Sequence, residues 1–194
     1  MRIAIVFSKF KGVFPMKLNK SILLKLLRYG LPLLLTVLWL GFIFGNSLQN
    51  GVESGNQSHQ VQQVVNDVAA SVGIDEPISE KFIRKAAHFG EFAVLGLLLC
   101  FDLLAFGLLT GAKKRYISLL LSLTPIPACA LLAAVDEWIQ TFSEGRAPQL
   151  QDVLLDTAGA ASTVVLFALL FSLLHMLLQH RKKKKERAAA SEQP

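Results

Sequence analysis

Three observations make this chain an all-α membrane protein. It has four long apolar runs, a lopsided spread of lysine and arginine between them, and polar residues at helical spacing near the run ends. Of its 194 residues, 53% are hydrophobic, more than in an ordinary soluble domain. A helix needs roughly 20 mostly apolar residues to cross a hydrocarbon core about 30 Å thick. The runs Leu31–Ser47, Ala86–Thr110, Tyr116–Thr141 and Val153–Leu178 are the four expected transmembrane helices. The expected organisation is a basic lead-in over 1–30, a transmembrane domain over 31–178 and a basic tail over 179–194. The length suits one domain.

Charge sets the expected orientation. Sixteen of the 20 Lys and Arg residues fall in three places: the segment up to Arg28, the Lys113-Lys114-Arg115 connection, and the tail from Arg181 to Arg187. Basic residues are retained on the cytoplasmic side of a membrane. Both termini and the middle connection are therefore expected in the cytoplasm, and the first and third connections outside. The remaining four, Lys81, Arg84, Lys85 and Arg146, lie in those outer connections. Arg2, Lys9 and Lys11 interrupt the apolar start of Met1–Phe14 with no clean cleavage site after it. The first span is thus expected to stay as a signal anchor. The net charge of +6 is accounted for by this topology and by attraction of Lys182–Lys185 to anionic lipid. No basic stripe with interleaved aromatics points to nucleic acid.

Each element has its own signal. Leu23, Leu24, Leu26 and Leu27 interleave with Lys20, Lys25 and Arg28, suiting a helix that approaches the interface. Pro32 falls near the start of the first span, where proline is tolerated, and Trp39 near its middle. Asn50-Gly51 reads as a turn. Ser58, Val61, Val64, Val65, Val68 and Ala69 recur at helical spacing, predicting a short amphipathic helix on the outer surface. Gly73 ends it, and Ser79 is the expected cap of the next helix. That helix should start before the membrane, near Glu80, and run to Thr110. Pro125 and Pro127 predict a break in the third span. The small residues Ala158, Gly159, Ala160, Ala161, Ser162 and Thr163 predict close approach of the fourth span to a neighbour. Cys100 and Cys129 read as small apolar packers, and residues 188–194 as disordered.

The polar residues converge on one level of the membrane. Lys85, His88 and Glu91 open the second span, Asp136, Glu137 and Gln140 close the third, Arg146 and Asp152 lie in the third connection, and Asp156 opens the fourth. Ionisable groups in or near a span usually face a bundle interior or a wet cavity. The expected result is an outward-facing polar pocket. Asp102 stands apart, deep in the second span, and must be protonated, paired across the bundle or hydrated. His175 and His180 read as interfacial at the cytoplasmic end.

The stretch Lys85-Ala86-Ala87-His88-Phe89-Gly90-Glu91-Phe92 resembles the lysine, histidine and glutamate motif of VanZ-like proteins. So do Asp136-Glu137-Trp138-Ile139-Gln140-Thr141-Phe142, Gly145-Arg146, Asp152, Asp156 and Gly159, and Phe44-Gly45-Asn46-Ser47-Leu48-Gln49 with Ser54 and Ser58. The similarity spans about residues 35–175. Position 92 is Phe where that family often has Tyr, 156 is Asp where Asn is common, and Thr163 replaces a frequent glycine. The resemblance implies a protein of the bacterial cell envelope with a link to teicoplanin-type glycopeptide resistance.

Two families of readings follow. Lys85, Asp136, Glu137, Arg146 and Asp152 are either a structural ion-pair network or a ligand pocket, with Arg146 offering a planar fork to carboxylate or phosphate. The ligand-binding set is Lys85, His88, Glu91, Asp136, Glu137, Gln140, Arg146, Asp152 and Asp156. Envelope components, a lipid-linked cell-wall precursor or a glycopeptide would supply the ligand, and the lipid bilayer is the other partner. The alternative is a hydrolase or transferase acting on a lipid-linked headgroup, with His88, Glu91, Asp136 and Glu137 as catalytic candidates. No cofactor is expected. A divalent ion at His88 with Glu91, Asp136, Glu137 or Asp152 is chemically admissible but lacks a recognised spacing. Ser47 and Ser54 read as helix-exit and turn residues.

Overall fold

A computed structural model of the chain describes residues 20–74, 76–110 and 115–191. The start of the lead-in, the Lys113-Lys114 pair and the last three residues lie outside them. All regular structure among the described residues is helical. Helix α1 runs over Lys20–Ser47, α2 over Gly51–Ser71, α3 over Glu80–Ala105, α4 over Arg115–Ser122, α5 over Pro125–Gln140 and α6 over Leu150–Ser191. Four stretches are long and apolar enough to cross a membrane: Lys20–Ser47, Glu80–Ala105, Tyr116–Gln140 and Leu150–Lys184. The all-α, four-span architecture expected from the apolar runs is the one observed.

The helix boundaries follow from local chemistry. Leu26–Gly30 widens into a π-helical stretch, where the Leu31 amide reaches back to the Leu26 carbonyl. Pro32 follows directly; its ring crowds the carbonyl four residues earlier, and the wider turn makes room for it. Asn50 is a helix cap rather than a free turn, since its side chain accepts the Glu53 amide at 2.8 Å. The amphipathic helix therefore starts at Gly51, earlier than its valine pattern indicated. Ser79 caps α3 by accepting the Phe82 amide. α3 ends at Ala105, short of Thr110, and Gly107 takes the left-handed conformation (φ +74°) just beyond. The third span is interrupted where the prolines predict it: α4 stops at Ser122 and α5 restarts with Pro125 at its first position, where no amide donor is needed. The backbone of α6 stays helical through Ser191, so 188–191 continue the helix instead of forming a disordered end.

The bundle is inside-out relative to a soluble protein. Its apolar core is small: Ile43, Phe92, Leu95, Cys129, Ala133 and Ala160. Large side chains such as Leu34, Leu38, Leu166, Leu169 and Leu170 point outward, as lipid-facing residues do. α3 and α6 run parallel and almost touch. Added side-chain bulk at Gly159 would collide with the Phe89 carbonyl, and at Gly96 it would come within 2.9 Å of the Ala160 carbonyl. The Thr163 hydroxyl donates to the Ala93 carbonyl at 2.7 Å. Small residues thus let the two backbones meet, as the composition of the fourth span predicts. Asp102 is resolved as a cross-bundle pair, accepting from the Thr36 hydroxyl at 2.7 Å.

Candidate functional site

Each of the four spans carries a polar residue about one turn from a core residue, always toward the same end. Ser47 follows Ile43, His88 precedes Phe92, Asp136 follows Ala133 and Asp156 precedes Ala160. One turn is about 5.4 Å of rise, so the polar residues form a layer over an apolar floor. Asp136 and Asp156 are fully buried, and Ser47 with them.

Asp136 is the best-supported acid of the layer. One of its oxygens accepts from the Ser47 hydroxyl at 2.6 Å and the other from Gln140 at 3.1 Å. Ser47 is therefore a buried partner of the site and not merely the exit of α1. Ser54 sits inside α2, buried as well. Asp156 contrasts sharply: neither of its carboxylate oxygens has a hydrogen-bond partner, and His88 Nδ1, itself without a partner, stands 3.9 Å away. His88, Asp136 and Asp156 offer ligand atoms within 4.8 Å of one another.

Around this layer stand the remaining predicted residues. Lys85 pairs with Asp152 at 2.8 Å, bridging α3 and α6. Glu91 accepts from Asn46 at 3.0 Å, while its backbone carbonyl takes the Trp39 indole N–H at 2.9 Å. Glu137 accepts the Gln149 amide at 2.7 Å and so ties down the loop before α6. The same loop is clamped to the junction of α1 and α2: the Ser143 hydroxyl donates to the Ser47 carbonyl at 2.9 Å, and the Gly51 amide to the Glu144 carbonyl at 2.9 Å. Gly145 adopts φ +78° in this loop, and Gly51 must stay small because added bulk there would come within 3.1 Å of the Gly145 carbonyl. Arg146 is thereby held half-buried over the site, with the Ser47 carbonyl 3.5 Å away. Burial, and then the neighbouring Arg84, pull its pKa down from the ordinary arginine value, though a guanidinium remains charged.

Two cavities open beside the layer. The larger, about 300 Å³, is lined by Lys81, Arg84, Lys85, His88, Arg146 and Asp152 among others. The smaller, about 140 Å³, shares Arg84, His88 and Arg146 with it and adds Asn46, Glu91 and the polar face of α2. Four cations and a single acid line the larger cavity. Lys81 and Arg84 join the site in addition to the residues expected from the sequence. A signal was available: 81, 84, 85 and 88 follow the three-and-four spacing of one helix face.

The fold and this layer define a class: a multi-pass α-helical membrane protein with a polar, cation-lined recess at one end of its bundle. The VanZ/LLP1 family description matches residues 32–180, and the chain belongs to that family. Comparison with curated proteins and with solved structures returns no match.

Proposed function

We propose that this VanZ/LLP1-family protein uses its recess, on the outer side of a bacterial cytoplasmic membrane, to bind the anionic headgroup of an envelope component. Its contribution to the cell is protection against teicoplanin-type glycopeptides by shielding that component. The observation that carries the reading is the convergence of Lys81, Arg84, Lys85 and Arg146 on one cavity. These are the four basic residues that break the positive-inside pattern, and cations kept on the wrong side call for an anionic counterpart. Arg146 supplies a fork for phosphate or carboxylate. α3 and α6 both begin at this end, so their positive dipole ends add to the same field. Trp138 and Phe142, exposed and edge-to-face at 5.3 Å, suit the headgroup level where aromatic residues anchor spans.

The test compares cells expressing the wild-type protein, Arg146→Ala and His88→Ala, each shown to be inserted and monodisperse in detergent. Both variants are expected to lose protection against teicoplanin, and to bind a lipid-linked diphosphate at least tenfold more weakly. Full protection in both would refute the binding reading. A second reading, hydrolysis or transfer on such a headgroup, is favoured by one observation: His88 lines the cavity while its Nδ1 faces Asp156, an arrangement suited to acid–base work. Turnover of the lipid-linked diphosphate by the purified protein separates the two.

A further inference from the structure

Beneath the cationic recess lies a buried group of opposite character. Asp156 is fully enclosed, and both its oxygens lack a donor. A carboxylate taken out of water without hydrogen bonds or a counter-charge is strongly disfavoured. The residue facing it, His88, presents a nitrogen that is also unpartnered. Asp136, the second enclosed acid, is held by Ser47 and Gln140. Each of its oxygens keeps a free lone pair, because a carboxylate oxygen accepts two bonds. Lys85, three residues before His88 on α3, is already engaged by Asp152.

We propose that His88 Nδ1, Asp136 and Asp156 together hold a divalent cation of the zinc or manganese class. One imidazole and two carboxylates are a donor set that such ions accept. Tetrahedral bonds of about 2.1 Å would bring the ligand atoms to about 3.4 Å from one another. The present spread of up to 4.8 Å closes to that value by side-chain movements of about 1 Å. Ser47 and Gln140 are the positioning residues: their hydrogen bonds orient Asp136, as outer-shell partners orient metal ligands. Three protein ligands leave coordination positions open. His88 also lines the cavity, which places those positions beside any anion bound there.

The site does not depend on the headgroup reading, and its test is separate. Tag-free protein in detergent is stripped with chelator and titrated with Zn²⁺ or Mn²⁺ alone, with bound metal read by elemental analysis. One equivalent per chain is expected for the wild type. Asp156→Asn and His88→Ala are expected to retain less than about a tenth of that. Ser47→Ala, which leaves all three ligands in place, is expected to keep the stoichiometry and weaken affinity by roughly 10- to 100-fold. Absence of a bound equivalent in the wild type overturns the proposal. So does unchanged binding in Asp156→Asn and His88→Ala or, where those variants fail to fold, unchanged affinity in Ser47→Ala. Loss of teicoplanin protection in Arg146→Ala with metal content intact would support the headgroup reading, while the titration alone decides the cation.

Discussion

Gly159→Ala is the most direct test of how the site is held. An added methyl group at 159 meets the backbone of Phe89, with the carbonyl carbon at 3.0 Å and the Cα at 3.1 Å. Backbone cannot rotate aside as a side chain can, so α3 and α6 must part by about 1 Å. Overpacking of this kind costs about 1–3 kcal/mol. The Thr163 hydrogen bond to Ala93, 2.7 Å long and one turn away, stretches with it and contributes about 1 kcal/mol more. A loss of about 2–4 kcal/mol corresponds to a Tm lower by about 5–15 °C for a chain of this size. Gly90→Ala is the control: nothing lies within 4 Å of a side chain there. Alanine should then be neutral or stabilising by up to about 1 kcal/mol. The assay is thermal unfolding in one detergent, followed by circular dichroism. If Gly159→Ala melts with or above the wild type, or Gly90→Ala falls equally far, the close-contact argument is wrong.

Two further outcomes are expected. Thr36→Val removes the only hydrogen-bond donor to the Asp102 side chain among the described residues and should cost about 1–3 kcal/mol; adding Asp102→Leu should recover most of it, since replacing both partners removes the unsatisfied group. A double-mutant unfolding cycle checks this, and equal destabilisation in the double variant would contradict it. An impermeant thiol reagent applied to intact cells should label Glu144→Cys and spare Lys113→Cys, with little background from the buried Cys100 and Cys129; the reverse pattern would move the recess to the cytoplasmic side.

Much of the fold was legible because a bilayer leaves few options for a chain. Unbroken apolar runs give spans, Ser79 and Gly73 punctuate them, and Pro125 forces the interruption of the third. The boundaries that differ from the sequence pattern depend on finer balances. Asn50 can make a turn or a cap, and only the Glu53 amide decides; the α3 helix stops at Ala105 although the apolar run continues. In the site, the common level of His88, Asp136 and Asp156 follows from counting residues from the span ends. Their pairings do not. Ser47 to Asp136 and Asn46 to Glu91 join residues 89 and 45 positions apart, contacts set by helix rotation rather than by spacing. The same holds for Asp156, which reads as one more acid in the sequence and only in three dimensions is seen to lack any donor.

Helix α6 carries Asp152 and Asp156 near its start and the Lys182–Arg187 cluster near its finish, with no proline and no glycine after Gly159 to bend it. Its 42 residues make a rod about 63 Å long. Pivoted near Asp156, a tilt of about 10° would swing the far tip through about 9 Å. The geometry of a lever is thus built into one continuous helix, its short arm at the recess and its long arm reaching to the opposite face.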